Sequence, residues 1–180
     1  MNVLIGFSTR KYNPLSFIVR KITGASCSHA FLMFKNSFYH DKIMIMEATE
    51  FGIREVDANW FFKRNLVVSV VQPKVEMIEV IRNSGPILGG MYDFLGLLGM
   101  PLVIAVAKWA HKKIKNPLQS PSGLFCSELV MKKMKEAKHP YTEDIGPSEI
   151  SPEQIKVLTL NQGCLELQMP SSPKICFEKL

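Results

Sequence analysis

The sequence predicts an α+β fold in which an antiparallel sheet packs against helices. Short apolar runs typical of strands occur in the first half of the chain, at 3–7, 28–34, 43–49, 53–56 and 66–71. Most connections between these runs are too short for crossover helices, so neighbouring strands are expected to be antiparallel. Later in the chain, apolar residues recur with the helical period of about 3.6 residues, most clearly from Cys126 to Ala137.

Each strand is predicted from its own local pattern. The run 3–7 opens the chain, and a short apolar helix at 14–22 follows it and is closed by Gly24. The run 28–34 is apolar on both of its faces, which is typical of a strand in the centre of a sheet. A turn at 36–41 then leads to the next strand, so these two strands are expected to be neighbours.

The remaining strands of the first half are predicted in the same way. The run 43–49 is apolar until it reaches Glu47, and the alternating run 53–56 after Gly52 is expected to form a half-exposed hairpin partner. The run 66–71 is apolar and is stopped by Pro73.

The second half is predicted to be mainly helical. Short helices are expected at 75–81, at 87–98 after Pro86, and from Cys126 until His139-Pro140. Ser151-Pro152-Glu153-Gln154 has an N-cap residue, proline at the first helical position and glutamine at the third, which is a helix-start signature. The runs 157–160 and 164–167 are the last strand candidates.

Length and composition predict one domain covering 1–180. The chain has 180 residues and 47% hydrophobic residues, which suffices for one core but not for two domains of ordinary size. We expect a helical insertion around 100–115 and a loosely held tail at 170–180. The uncharged stretch 94–107 is shorter than the ~20 residues that span a bilayer, so it predicts either a buried helical hairpin or a membrane-facing element with a collar of lysines.

The charge and the cysteines limit the class of partner. The net charge of +6 favours an anionic partner, such as a membrane or cell-wall surface. Nucleic acid is not expected, because the basic residues are not interleaved with aromatic ones and no DNA-binding motif occurs. The spacing of the cysteines is not that of metal ligands, so we expect free thiols in a reducing compartment, with no metal and no cofactor. The cysteines are Cys27, Cys126, Cys164 and Cys176.

The start of the chain bears on localisation. Residues 1–7 have neither a basic region nor a cleavage site typical of a secretory signal. Synthesis in a cytoplasm is therefore expected, with peripheral attachment to a membrane or delivery in a virion left open. The sequence does not predict an oligomeric state.

Cys126 is the best candidate for a nucleophile. It follows an irregular segment rich in Pro, Gly and Ser and occupies the first turn of the predicted helix. The free N–H groups and positive dipole end at such a position favour a thiolate and can stabilise an oxyanion. The alternative is that Cys126 is a small buried hydrophobe.

His29 and Glu47 are the candidate partners of that thiol. His29 lies in the strand predicted to be central, where a buried imidazole needs a hydrogen-bonded role. Glu47 is near the end of the next strand, within reach of a cross-strand or diagonal contact with His29. Alternatively, His29 is a satisfied core residue and Glu47 a solvated strand-end charge. Cys27 is a rival nucleophile without a helix dipole, and the other histidines fall at expected surface positions, namely His40, His111 and His139.

Taken together, these motifs resemble the circularly permuted branch of the NlpC/P60 papain-like superfamily, in which the histidine strand precedes the cysteine helix. The resemblance covers about 3–160. Its motifs are Ser28-His29-Ala30-Phe31-Leu32, Met46-Glu47-Ala48 with Gly52-Ile53, Tyr92-Asp93, Phe125-Cys126-Ser127-Glu128-Leu129-Val130 and Ser151-Pro152.

This resemblance implies a permuted papain-like fold with a catalytic triad. Cys126 would be the nucleophile, His29 the base and Glu47 the residue that orients it. Tyr92 and Ser127 match positions expected to contact substrate, although Tyr92 also fits a core aromatic.

The resemblance also implies the class of reaction. The expected activity is that of a thiol hydrolase or acyl transferase acting on an amide, as in a peptidoglycan-type peptide, or on a lipid acyl bond. Two alternatives remain open: an inactive papain-like module that binds a ligand or belongs to a virion, and a membrane-associated scaffold built on 100–115.

Overall fold

The chain has an α+β architecture, in which helices pack against an open antiparallel sheet of six strands. This computed structural model describes residues 3–10, 16–17, 20–21, 24–36, 42–91, 93, 106, 109, 117 and 123–178. The strands are β1 (Val3–Arg10), β2 (His29–Asn36), β3 (Lys42–Thr49), β4 (Gly52–Asp57), β5 (Asn65–Gln72) and β6 (Leu165–Gln168). Their order across the sheet is β4-β3-β2-β1-β5-β6, and every neighbouring pair is antiparallel.

The helices fill the connections and the C-terminal part. They are α1 (Ala58–Arg64), α2 (Ile78–Arg82), α3 (Cys126–Glu136), α4 (Pro152–Asn161) and α5 (Pro173–Glu178). Short 3-10 turns lie at Gly85–Ile87, Pro140–Thr142 and Pro147–Glu149. Among the residues that the structure describes, no helix is both long and apolar enough to cross a membrane.

Both faces of the sheet are covered by apolar side chains. Strand β2 sends Ala30, Leu32 and Phe34 to one face, where they join a core formed with α3 and α4. Phe31 and Met33 point to the opposite face and pack with residues of α1 and α5. Because residues of a strand alternate between faces, this continuous burial confirms that β2 is a central strand.

Two local signals in the sequence formed as expected. Strands β3 and β4 make a hairpin in which Thr49 pairs with Gly52, and Gly52 has a φ of 99°, which glycine adopts more readily than other residues. Helix α4 begins with the full capping box: Ser151 Oγ accepts from the Gln154 N–H, and the Gln154 side chain accepts from the Ser151 N–H.

Two expectations about helices and strands were wrong. The candidate strand 157–160 lies inside α4, because the capping box starts a helix that buries Ile155 and Thr159 and exposes Val157. The helix expected at 87–98 does not begin there: the 3-10 turn ends at Ile87, and Gly89 then adopts a φ of 78°, which interrupts a helix. Residue 92 and residues 94–98 of that segment lie outside the described residues.

The C-terminal tail also differs from its prediction. Residues 170–180 were expected to be loosely held, but they contain α5, whose Cys176 is fully buried with Phe31 and Phe61 in the second core. Burial of apolar area fixes this segment. The predicted insertion at 100–115 lies outside the described residues apart from Val106 and Trp109, and the predicted helix at 14–22 is described only at residues 16–17 and 20–21.

Helix α1 was not predicted. It fits between the hairpin and β5, and the Asp57 carboxylate accepts a hydrogen bond of 3.0 Å from the Trp60 N–H at its start. Asp is a preferred N-cap residue, so a signal was present in the sequence. Phe61 of α1 is fully buried and lies next to the candidate site described below.

Candidate active site

The sheet register brings His29 and Glu47 together. Leu32 pairs with Met46 across β2 and β3, so the next pair along the register places Glu47 opposite Phe31. His29 is two residues before Phe31 and points to the same face, which makes its contact with Glu47 a diagonal one. His29 Nε2 and Glu47 Oε2 are 2.9 Å apart, so the expected diagonal contact is present.

Glu47 is also held from the other side by an arginine of the hairpin. Arg54 is the direct register partner of Glu47, and its Nε and Nη2 atoms donate hydrogen bonds of 3.0 and 2.8 Å to Glu47 Oε1. The two carboxylate oxygens therefore have separate partners, the guanidinium on Oε1 and the imidazole on Oε2. Only 3% of the Glu47 side chain is exposed, so both oxygens depend on these bonds.

Cys126 is the first residue of α3 and meets the beginning of β2. The helix packs across β2 and β3, and its N-cap residue, Phe125, makes no side-chain cap. Hydrogen bonding with His29 and with the backbone N–H groups of Ala30 and Ser127 acts on the pKa of the Cys126 thiol, so the sulfur lies near the imidazole. Since Nε2 of His29 is occupied by Glu47, Nδ1 is the nitrogen left for Cys126.

The charges at the site favour an ionised cysteine. Burial would raise the pKa of the Cys126 thiol, but the hydrogen bond and positive charge of His29, with the backbone N–H groups, lower that pKa. Burial would likewise lower the pKa of His29, but hydrogen bonds and charges from Cys126 and Glu47 raise it to about 10. These opposite shifts favour a thiolate next to an imidazolium, and the two groups titrate as a pair.

Glu47 supplies the opposing charge. Burial would raise the pKa of this carboxyl, but hydrogen bonds and charges from His29 and Arg54 keep the pKa below its usual value. Arg54, Glu47, His29 and an ionised Cys126 would form a row of alternating charges. Such a row reduces the cost of burying each ion, because each has an opposite charge beside it.

Aromatic rings form the floor under the imidazole. The ring of His29 lies 6.4 Å from that of Phe31 at an interplanar angle of 26° and 6.2 Å from that of Phe61. Phe31 and Phe61 pack against each other at 4.6 Å. Gly6 pairs with Phe31 across β1 and β2, and a Cβ atom at Gly6 would lie only 2.1 Å from the Phe31 ring. The ring needs the space that this glycine leaves.

The rival cysteine is in a different electrostatic setting. Cys27 lies two residues before His29, and its sulfur donates to Glu153 Oε2 at 3.4 Å. Burial and the negative charge of Glu153 raise the pKa of this thiol, so Cys27 is held in the protonated form. The same carboxylate oxygen accepts from the backbone N–H groups of Ser26 and Cys27 at 2.7 and 3.2 Å, which ties the start of β2 to α4.

The other sequence-predicted residues do not join the described site in the same way. Tyr92 lies outside the described residues. The Ser127 side chain is fully buried, and its hydroxyl has no hydrogen-bond partner among the described residues; its contribution to the site is its backbone N–H. His139, expected at the surface, is fully buried next to Tyr141, because the chain after α3 folds back over the core. His40 and His111 lie outside the described residues.

Arg54 is the site residue that sequence reasoning missed. The signal was available, because the two-residue turn of the hairpin places Glu47 and Arg54 at equal distances from Glu50-Phe51. An acidic and a basic residue placed symmetrically about a hairpin turn are direct cross-strand neighbours. No group of His, Cys, Asp and Glu in the described part of the chain could hold a metal ion.

Comparisons with known proteins name no family for this site. Neither the protein-family models nor the curated proteins searched contain a match to the chain.

Proposed function

We propose that this chain is a papain-like thiol hydrolase or acyl transferase of the permuted NlpC/P60 type. The observation that carries the proposal is the continuous chain of contacts from Cys126 through His29 to Glu47. A cysteine nucleophile requires a base to hold it as thiolate, and the base requires a polar group that fixes its orientation and tautomer. Each role has a candidate residue here, which supports the proposal: His29 and Glu47 are 2.9 Å apart, and hydrogen bonding with His29 lowers the pKa of Cys126.

The proposed reaction follows from the resting ion pair. The Cys126 thiolate adds to the carbonyl carbon of an amide or ester, and the electron pair of the C=O bond moves onto oxygen. Backbone N–H groups at the start of α3 supply hydrogen bonds to that oxyanion. As the intermediate collapses, the leaving amine or alkoxide takes the proton from Nδ1 of His29, and a thioester on Cys126 remains.

The second half regenerates the enzyme. Water, or another acceptor bearing an O–H or N–H group, gives its proton to neutral His29 as it attacks the thioester carbon. Cleavage of the C–S bond then restores the thiolate beside an imidazolium. Glu47 keeps its negative charge throughout and holds the ring with Nε2 toward its carboxylate.

Two classes of substrate are proposed, a peptidoglycan-type peptide amide and a lipid acyl bond. Both fit an enzyme with a net charge of +6, because both occur on anionic surfaces. The chain on either side of 94–122 is paired next to the nucleophile: Leu124 N–H donates to the Met91 carbonyl at 3.1 Å. The apolar, lysine-flanked segment 100–115, judged from its sequence, is the proposed element of contact with such a surface.

Labelling with an electrophilic thiol probe tests the proposal. Cys126→Ala and His29→Ala should each abolish rapid labelling of the folded protein, whereas Cys164→Ala, which removes a buried cysteine elsewhere, should be labelled like the parent. Rapid labelling of Cys126→Ala would contradict the proposal. A Cys126 thiol that titrates near the free value of ~8.5 would instead favour a non-catalytic papain-like module that binds a ligand.

Turnover of candidate substrates would be measured after the labelling experiment. Peptidoglycan-type peptides and acyl lipids would be offered separately, with and without an amine acceptor, and products would be identified by mass. Transfer to the acceptor would distinguish acyl transfer from hydrolysis.

A further inference from the structure

Arg54 makes a forked contact that divides the Glu47 carboxylate between two partners. Its Nε and Nη2 atoms both donate to Oε1 of Glu47, while Oε2 of the same carboxylate faces His29 Nε2. A rotation of the carboxylate that broke one of these contacts would break the other as well. Arg54 therefore restricts the orientation of the group that in turn orients His29.

The guanidinium is itself supported by an aromatic ring. The Cζ atom of Arg54 lies 5.4 Å from the centre of the Trp60 ring, and the Cζ atom of Arg64 lies 4.1 Å from it. A guanidinium near an aromatic face gains cation–π attraction, and its planar shape suits stacking. Trp60 is on α1, so the helix between the hairpin and β5 connects the support of Arg54 to the fold.

The charge of Arg54 matters as much as its shape. The Glu47 side chain is nearly fully buried, and burial favours a neutral carboxyl. A neutral Glu47 could donate a hydrogen bond to Nε2 of His29 and stabilise the neutral tautomer with the proton on Nδ1. Without the imidazolium charge, burial favours the Cys126 thiol over the thiolate, so the resting ion pair depends on an ionised Glu47.

We propose that Arg54 is a positioning residue of the Cys126 site, which acts by holding Glu47 ionised and oriented toward His29. The effect of Arg54 on catalysis rests on the proposed function. Arg54 does not contact the reacting atoms, and its effect passes through Glu47. A lysine at this position would keep the charge but lose the fork, because a single ammonium nitrogen cannot reproduce two N–H groups of fixed geometry.

A double-mutant cycle tests whether Arg54 acts through Glu47. The rate constant for alkylation of Cys126 by iodoacetamide at mildly acidic pH would be measured in the parent, Arg54→Leu, Glu47→Gln and the double variant. Arg54→Leu should reduce the rate constant by about tenfold or more, within the range of coupling between groups in one network. In the Glu47→Gln background, Arg54→Leu should have little further effect on this rate constant. The rate constant of Arg54→Lys should lie between those of the parent and Arg54→Leu.

Arg64 provides the matched control. Arg64→Leu removes the same charge from the same Trp60 ring but does not touch Glu47 in the described contacts, so its alkylation rate should stay within about twofold of the parent. A loss in Arg64→Leu equal to that in Arg54→Leu would overturn the inference. So would losses in Arg54→Leu and Glu47→Gln that multiply in the double variant, because multiplication means independent action.

A second readout separates this inference from the proposed function. The carboxyl carbon of Glu47 would be followed by NMR as a function of pH, which requires no catalysis. Removal of Arg54 should move its titration midpoint upward, and Arg54→Lys should move it less. An unchanged midpoint in a folded Arg54→Leu protein would refute the role of Arg54. If the midpoint moves but Cys126 is no more reactive than an unfolded thiol, the proposed function fails and the control of Glu47 by Arg54 stands.

Discussion

Gly6→Ala tests how closely the fold supports the site. The added Cβ atom would lie 2.1, 2.2 and 2.7 Å from three carbons of the Phe31 ring, whereas carbon atoms in contact are ~3.5–4.0 Å apart. The ring must therefore move by more than about 1 Å. Overpacking of this kind costs about 1–3 kcal/mol, and disturbing the ring pair of Phe31 with Phe61 adds about 0.5–1.5 kcal/mol.

A smaller gain opposes that loss. Alanine is better than glycine within a strand by roughly 0.5–1 kcal/mol. The net expectation is that Gly6→Ala lowers the free energy of unfolding by about 2 kcal/mol. Reactivity of Cys126 should fall with it, because the Phe31 ring that must move lies under His29.

Urea unfolding and thiol alkylation would measure the two effects. Gly85→Ala is the control, because beyond its chain neighbours no described residue has an atom within 4 Å of a Cβ added at Gly85. It should change stability by no more than about 0.5 kcal/mol. Combining Gly6→Ala with Phe31→Leu should recover part of the lost stability. A Gly6→Ala protein as stable as the parent would show that Phe31 does not require the space above Gly6 and would refute the packing argument.

Two further predictions concern pH. Burial would raise the pKa of the Glu153 carboxyl, but hydrogen bonds from Lys156 and Ser26 lower it to about 2. Because the folded pKa is depressed, the stability that Glu153 contributes is present above the unfolded value near 4.5 and is lost as the pH falls toward about 2. The excess stability of the parent over Glu153→Gln, from urea unfolding at several pH values, should shrink in that window, and a pH-independent difference would contradict this assignment. His139 is fully buried, and its ring nitrogens have no hydrogen-bond partner among the described residues. Burial lowers the pKa of His139, so as the pH falls this histidine is protonated in the unfolded chain before it is protonated in the folded protein. The parent should therefore lose stability as the pH falls below about 6.5. His139→Leu should remove that part of the pH dependence in thermal unfolding, and equal slopes for the two proteins would argue against it.

Local patterns in the sequence were sufficient for much of the sheet and for the pairing of His29 with Glu47. Alternation of apolar residues shows which side chains of a strand share a face, and short connections make neighbouring strands antiparallel. Those two facts place Glu47 within a diagonal step of His29. Extended through the two-residue hairpin turn, the same argument would have placed Arg54 against Glu47.

Local patterns were insufficient where distant packing competes with them. Residues 157–160 carry apolar side chains that suit a strand, yet the capping box at Ser151 and burial of Ile155 favour a helix. His139 follows the end of a helix beside a proline, a pattern typical of the surface, but the chain after α3 buries it. Periodicity indicates how one element is buried, and it does not indicate what another element will cover.

The sequence alone determined the chemistry available to this protein: a cysteine at the start of a helix, a histidine in a central strand and a carboxylate on the next strand. Only the tertiary structure decided that these groups meet. Cys126 and His29 are nearly a hundred residues apart, and no periodicity relates the start of α3 to the beginning of β2. Their proximity depends on α3 packing across β2 and β3, and ionisation of Cys126 is favoured only because that packing brings the thiol close to the charge of His29.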